Sequence, residues 1–180
     1  MKLMMRERYT LGQVVLHWIS AVIIVWTLVS GFYVAIFTVE PATKTWVGFI
    51  NVSLTALYIP VFVLRVYCSF LHSFSSGGRK RSINEYMALF VHKSIYLVLG
   101  VVLVTGVLMM DRSINVFNVL MIKQLLTDPV AIGWFTTVHI QACVALLVLV
   151  TVHVGAVIKH EASGQRVLKI MSFAQGVTDK

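Results

Sequence analysis

VHIQACVALLVLVTVH, residues Val138–His153, decides the fold. It carries no charged side chain, and an imidazole stands at each end. Extended outward to Gly133 and Lys159, the apolar run exceeds the ~20 helical residues needed to cross a hydrocarbon layer. In lipid only helices and closed barrels satisfy their own backbone, and a long run without alternation means a helix.

Three more segments read the same way, which predicts spans over roughly 11–37, 46–71, 87–110 and 133–159. The chain of 180 residues is 58% hydrophobic with a mean hydropathy of +0.87, and only 12% of it is charged. An ordinary soluble domain is about a quarter charged. The expected fold is therefore an all-α integral membrane protein, a bundle of four transmembrane helices forming a single domain over residues 1–180.

The stretch MKLMMRERYTLGQVVLHW opens like a signal peptide, but no small-residue cleavage site follows a short core, so a retained first span is expected. Pro60 falls inside span two, where it can kink a helix. HSFSSGGRKRSINE reads as a loop. DRSINVFNVLMIKQLLTDP has an apolar patch of its own and reads as a connection with a short interfacial helix. Cys68 and Cys143 sit in apolar runs and read as packing residues.

Charge sets the expected orientation. Twelve of the fifteen Lys and Arg residues lie before span one, near the loop joining spans two and three, or after span four. Lys44, Arg112 and Lys123 are the three on the other side. The positive-inside rule then places both termini in the cytoplasm. The net charge of +8 is explained by topology and calls for no nucleic acid.

Topology turns positions into depths. His17 and His92 each lie about six residues, or ~9 Å, into spans one and three from the cytoplasmic side, and His153 lies as far from the end of span four. His139 stands apart, near the opposite face. Fourteen residues of helix turn through four revolutions less about 40°, so His139 and His153 project from nearly one face, ~21 Å apart along the axis. One metal ion cannot bridge that gap, whereas two flat cofactors stacked in a bundle core can each take one ligand from this helix. A low-spin haem takes an axial imidazole on each side. The plainer alternative for any single histidine is an interhelical hydrogen bond. Two on one face with depth-matched partners favour function. His72 reads as a solvated loop residue, and His160 as either that or a residue near a quinone or a propionate.

At these residues a resemblance enters. RYTLGQVVLHW at the start of span one, VLRVY at the end of span two, VHKSIYLVLGVVLVTGVLMM in span three, and VHIQACVALLVLVTVH followed by VIKH in span four are similar to the prokaryotic cytochrome b561 family. That family is related to the membrane cytochrome b subunits of nickel hydrogenases and formate dehydrogenases. The resemblance implies a dihaem b-type carrier in the bacterial inner membrane that exchanges electrons with ubiquinone or menaquinone. Its redox partner would be superoxide or a periplasmic dehydrogenase or cytochrome, with this chain a quinone-linked oxidoreductase or its membrane subunit. In the family pattern His17 and His153 bind the cytoplasmic-side haem, and His139 binds the second haem opposite a histidine early in span two.

In VGFINVSLTALY the residue at that place is Asn51. An amide is a poor iron ligand. Three outcomes follow: the second haem is lost and His139 bonds Asn51, it is held by His139 alone, or Met109 or Met110 replaces the missing ligand. Loss or weakening of the second haem is the expectation. Arg65 matches a family arginine that would neutralise haem propionates, or it is a snorkelling topology charge. His92 would line a quinone pocket or bond the haem edge, with core packing as the alternative.

A different class of function is a non-redox transporter or an anchor subunit of a larger complex. Transporters carry broken helices and charged groups near the midplane. Here all seven acids, from Glu7 to Asp179, lie outside the spans or at their margins.

Overall fold

The computed structural model describes residues 10–75 and 83–164, with no side-chain description for 72–75 and 84–85. His72, the basic residues 79–81, and the charged tails before Thr10 and after Gly164 therefore lie outside it. Four helices account for most of it: α1 (Leu11–Ile36), α2 (Pro41–Ser75), α3 (Ile83–Leu108) and α4 (Pro129–Ala162). Each is long and apolar enough to cross a membrane. The four expected spans are all present, and residues 72–75 and 83–85, read above as loop, belong to α2 and α3.

Local chemistry explains the helix ends. Thr10 caps α1 in a reciprocal box, its Oγ1 accepting from the Gln13 N–H at 3.3 Å while Gln13 Oε1 accepts from the Thr10 N–H at 3.0 Å. At α4, Asp128 Oδ1 accepts from the Val130 N–H at 3.1 Å and Pro129 occupies the first turn, where its missing N–H costs nothing. Pro60 lies inside α2 without interrupting it.

The interfacial helix expected in the third connection is absent. Residues Ile114–Val116 (β1) and Leu120–Ile122 (β2) instead form an antiparallel hairpin. Two asparagines account for the change. Asn118 N–H donates to Asn115 Oδ1 at 2.9 Å, and Asn115 Nδ2 donates to Asn118 Oδ1 at 2.7 Å, which diverts the backbone from a helical ladder. Phe117 and Asn118 take φ of 46° and 58°, and the Val119 N–H closes the turn on Val116 O at 2.9 Å. The hairpin is tied to α2 by Ser53, fully buried, whose Oγ donates to Asn115 O at 3.2 Å and accepts from the Phe117 N–H at 3.1 Å.

α1 packs along α2 and α3 along α4, while the two pairs touch sparingly between α2 and α3. They meet in a middle layer of Ile24, Leu28, Tyr58, Leu99, Leu103 and Leu146. The outward faces are apolar, with Val22, Val29, Leu97 and Val148 well exposed, whereas Ser20, Ser30, Ser53 and Thr105 are buried. Polar groups inside and hydrocarbon outside is the arrangement a bilayer demands. The candidate functional residues collect on either side of the middle layer.

Candidate cofactor sites

The first collection lies toward the end of the bundle where α1 begins and α4 finishes. Each helix contributes one residue: His17 from α1, Arg65 from α2, His92 from α3 and His153 from α4. Arg65 Nη2 donates to His17 Nδ1 at 2.8 Å, and its guanidinium lies 5.3 Å from the ring centre of Tyr96 on α3. His92 packs edge-on against His153 with ring centres 4.8 Å apart. Both of those histidines lie within electrostatic range of His17. The His92 Nδ1–H donates to Ala88 O at 2.8 Å, since a carbonyl only accepts, which leaves Nε2 as the atom open to a ligand.

The second collection lies beyond the middle layer, toward the hairpin. A cavity of about 350 Å³ opens there, within the 300–1,000 Å³ of ordinary ligand sites. His139, Asn51, Met109 and the hairpin's Ile114 line it, together with Gly31 and Gly106. His139 is held firmly: its Nδ1–H is shared between Val102 O and Thr105 Oγ1, each at 3.1 Å. Thr105 is free to accept because its own hydroxyl donates to Val101 O at 2.7 Å. The proton therefore sits on Nδ1, and Nε2 keeps its lone pair beside the Cys143 Sγ at 3.5 Å. Metal-binding histidines are commonly braced in this way, by a backbone carbonyl on the other nitrogen. The imidazole lies so close to α3 that a Cβ at position 106 would stand 3.2 Å from its Cε1, so any residue but glycine there would press the ring aside by a few tenths of an ångström.

Asn51 takes no part in holding His139. Its amide stands 3.0 Å from Ser30 Oγ, a hydroxyl that also reaches Trp26 O at 2.7 Å, and the His139–Asn51 bond considered above is not formed. Met109 borders the cavity, and Met110 is not among its lining residues. Both cysteines are unpaired. Among the described residues no three His, Cys, Asp or Glu side chains gather as a bare metal ion would require. A haem asks for less, one or two axial ligands and a flat, mostly apolar slot.

A family model described as prokaryotic cytochrome b561 matches residues 8–173, nearly the whole chain. The chain belongs to that family. No curated protein matches it. As a prokaryotic cytochrome b561 it is a multi-pass protein of the bacterial inner membrane, a haem b electron carrier. Sequence reasoning separated His139 from the other three spanning histidines of this b561 bundle but missed Ser30, Thr105 and Gly106. Each of the three acts on a partner far away in the chain, and their residue types are ordinary for membrane helices.

Proposed function

We propose that the protein passes single electrons between the membrane quinone pool and a redox partner, with His17 and His153 as the axial ligands of one haem b. The convergence of His17, Arg65, His92 and His153, one from each helix, carries this reading. Imidazoles from the first and last spans supply the two ligands, and the Arg65 cation is at hand for the propionates. His139 is read as the ligand of a second haem in the hairpin-side cavity. Haem supplies a one-electron couple, whereas quinol oxidation releases two electrons and two protons, so a neighbouring base is required. His92 Nε2 fills that role at the first level.

Both termini are assigned to the cytoplasm, which puts quinone chemistry near the cytoplasmic face and His139 near the periplasm. The periplasmic partner is superoxide or a dehydrogenase or cytochrome. We read residues 1–180 as one domain. A transporter is disfavoured by the lack of acids in mid-span: the described acids Glu40, Asp111, Asp128 and Glu161 all stand near helix ends.

The test is a reduced-minus-oxidised spectrum of the purified protein. A sharp b-type α-band that is lost or diminished in His17→Ala and His153→Ala, and quinol-driven reduction of the remaining protein, are expected. A colourless protein from haem-replete cells would overturn the reading. A reporter fused to the C-terminus that is active only in the periplasm would overturn the orientation.

A further inference from the structure

The connection between α3 and α4 keeps its charges at its two ends. Asp111 and Arg112 precede the hairpin and Lys123 follows it, while SINVFNVLMI between them carries none. The polar groups of the turn are spent inside the protein. Asn115 and Asn118 bond each other, Ser53 takes Asn115 O and the Phe117 N–H, and Val116 O takes the Val119 N–H. What the turn shows outward is hydrocarbon: Val119 is 88% exposed, and Leu120 and Met121 are exposed beside it. A turn made for water has the opposite arrangement.

Depth gives the same direction. Trp46 on α2 and Trp134 on α4 are both exposed, and each stands five residues past the start of its helix. Exposed tryptophans at one level mark the boundary between membrane and water. Ser53, which holds the turn, lies seven residues beyond Trp46 along α2, about 10 Å closer to the middle of the bundle. Five residues separate Arg112 from Phe117, about 16 Å of extended chain, so the charged ends can stay at headgroup level while the turn descends.

We infer that the hairpin Ile114–Ile122 is a re-entrant element in the leaflet at its own end of the bundle, with Val119, Leu120 and Met121 lying against acyl chains. Irregular backbone is tolerated at membrane depth where the protein itself satisfies it, and the bonds to Ser53 and between the asparagines do so for the turn. Phe117 packs edge-on against Phe49 of α2, with ring centres 5.9 Å apart, so the patch continues a helix surface that already meets lipid. A protein arriving from the water side would meet the charged ends first. The placement involves no cofactor.

The experiment uses the full-length protein in phospholipid nanodiscs that contain a lipid with a photoreactive diazirine in its acyl chain. Irradiation of the wild type, followed by mass spectrometry, should map acyl adducts to residues 117–121. In the same discs a charged maleimide should modify Val119→Cys at least about tenfold more slowly than Asp111→Cys, because a thiol among hydrocarbon keeps its proton. Asp111 supplies the reference because its side chain is 69% exposed beside Arg112. Mass spectrometry assigns each modification to its own peptide, so Cys68 and Cys143 need not be replaced. Equal rates at the two positions would put the hairpin in water and overturn the inference. Slow modification without acyl adducts would mean that protein, a second copy or a partner, covers the patch, and would overturn it as well. The wild-type adducts decide the question even if the Val119 variant does not fold.

Discussion

Arg65 and His17 are joined across α2 and α1 by a 2.8 Å contact in which the guanidinium donates and His17 Nδ1 accepts. An arginine has no lone pair to give, so Nδ1 is bare and the ring proton sits on Nε2. Iron ligation through Nε2 requires the proton to move to Nδ1, and then Arg65 must find another acceptor. Propionate carboxylates are the natural one. On the proposed assignment, Arg65 places a positive charge beside the first haem.

Arg65→Gln should therefore lower the midpoint potential of that haem. A cation favours the reduced, less positive iron. A loss of about 1.4 kcal/mol corresponds to roughly 59 mV for one electron. Arg65→Lys should recover most of the difference. A spectroscopic redox titration reads both variants, and an unchanged potential in Arg65→Gln would leave Arg65 with only a topological role.

His92→Ala should separate quinone chemistry from haem binding. The edge contact with His153 is lost, but no proposed ligand is removed, so the α-band should persist with little change. Quinol-driven reduction should slow by about 100-fold, the usual worth of a positioned base. Stopped-flow mixing with a water-soluble quinol measures the rate. An unaltered rate would make His92 a packing residue.

Thr105 and Gly106 act together on His139. Thr105→Val removes one of the two acceptors at Nδ1, and losses of this kind weaken metal sites by about 10- to 100-fold. Gly106→Ala puts a methyl group 3.2 Å from Cε1 and must tilt the ring. Haem-to-protein ratios after transfer to excess apomyoglobin should show the hairpin-side haem leaving first in both variants. Equal retention in wild type and variants would remove these residues from the site.

Ser53→Ala tests the hairpin. The substitution leaves Asn115 O and the Phe117 N–H without their shared partner in a buried place, at a cost of about 1–3 kcal/mol. A lower unfolding temperature in detergent and faster proteolysis between residues 111 and 128 are expected, with the haem at the His17 level unaffected.

The spans were legible because a bilayer leaves few options for twenty-odd apolar residues. Their ends were less so. α2 begins at Pro41 and α4 at Pro129, each a few residues before the apolar run, because beyond the hydrocarbon a helix stops where capping chemistry stops it. The hairpin was hidden by its turn. Phe117–Asn118 takes the left-handed conformation that Asn–Gly usually announces, and the surrounding INVFNVLMI has too many apolar residues to show alternation. Depth alone grouped His17, His92 and His153 and set His139 apart, since helical rise converts sequence number into height. The bracing of His139 could not be read, because Thr105 and Val102 belong to another helix and nothing in their own neighbourhood marks them.

Ile114 gives the hairpin a second meaning. It belongs to the connection between α3 and α4, yet it is 4% exposed and forms part of the cavity wall beside residues from all four helices. On the proposed assignment the helices supply the haem ligands, whereas the shape of the hairpin-side cavity depends also on a connection that can be lengthened, shortened or exchanged cheaply. A graft of that connection alone, between chains with identical spans, should reshape that cavity while the α-band proposed for the His17 level stays the same.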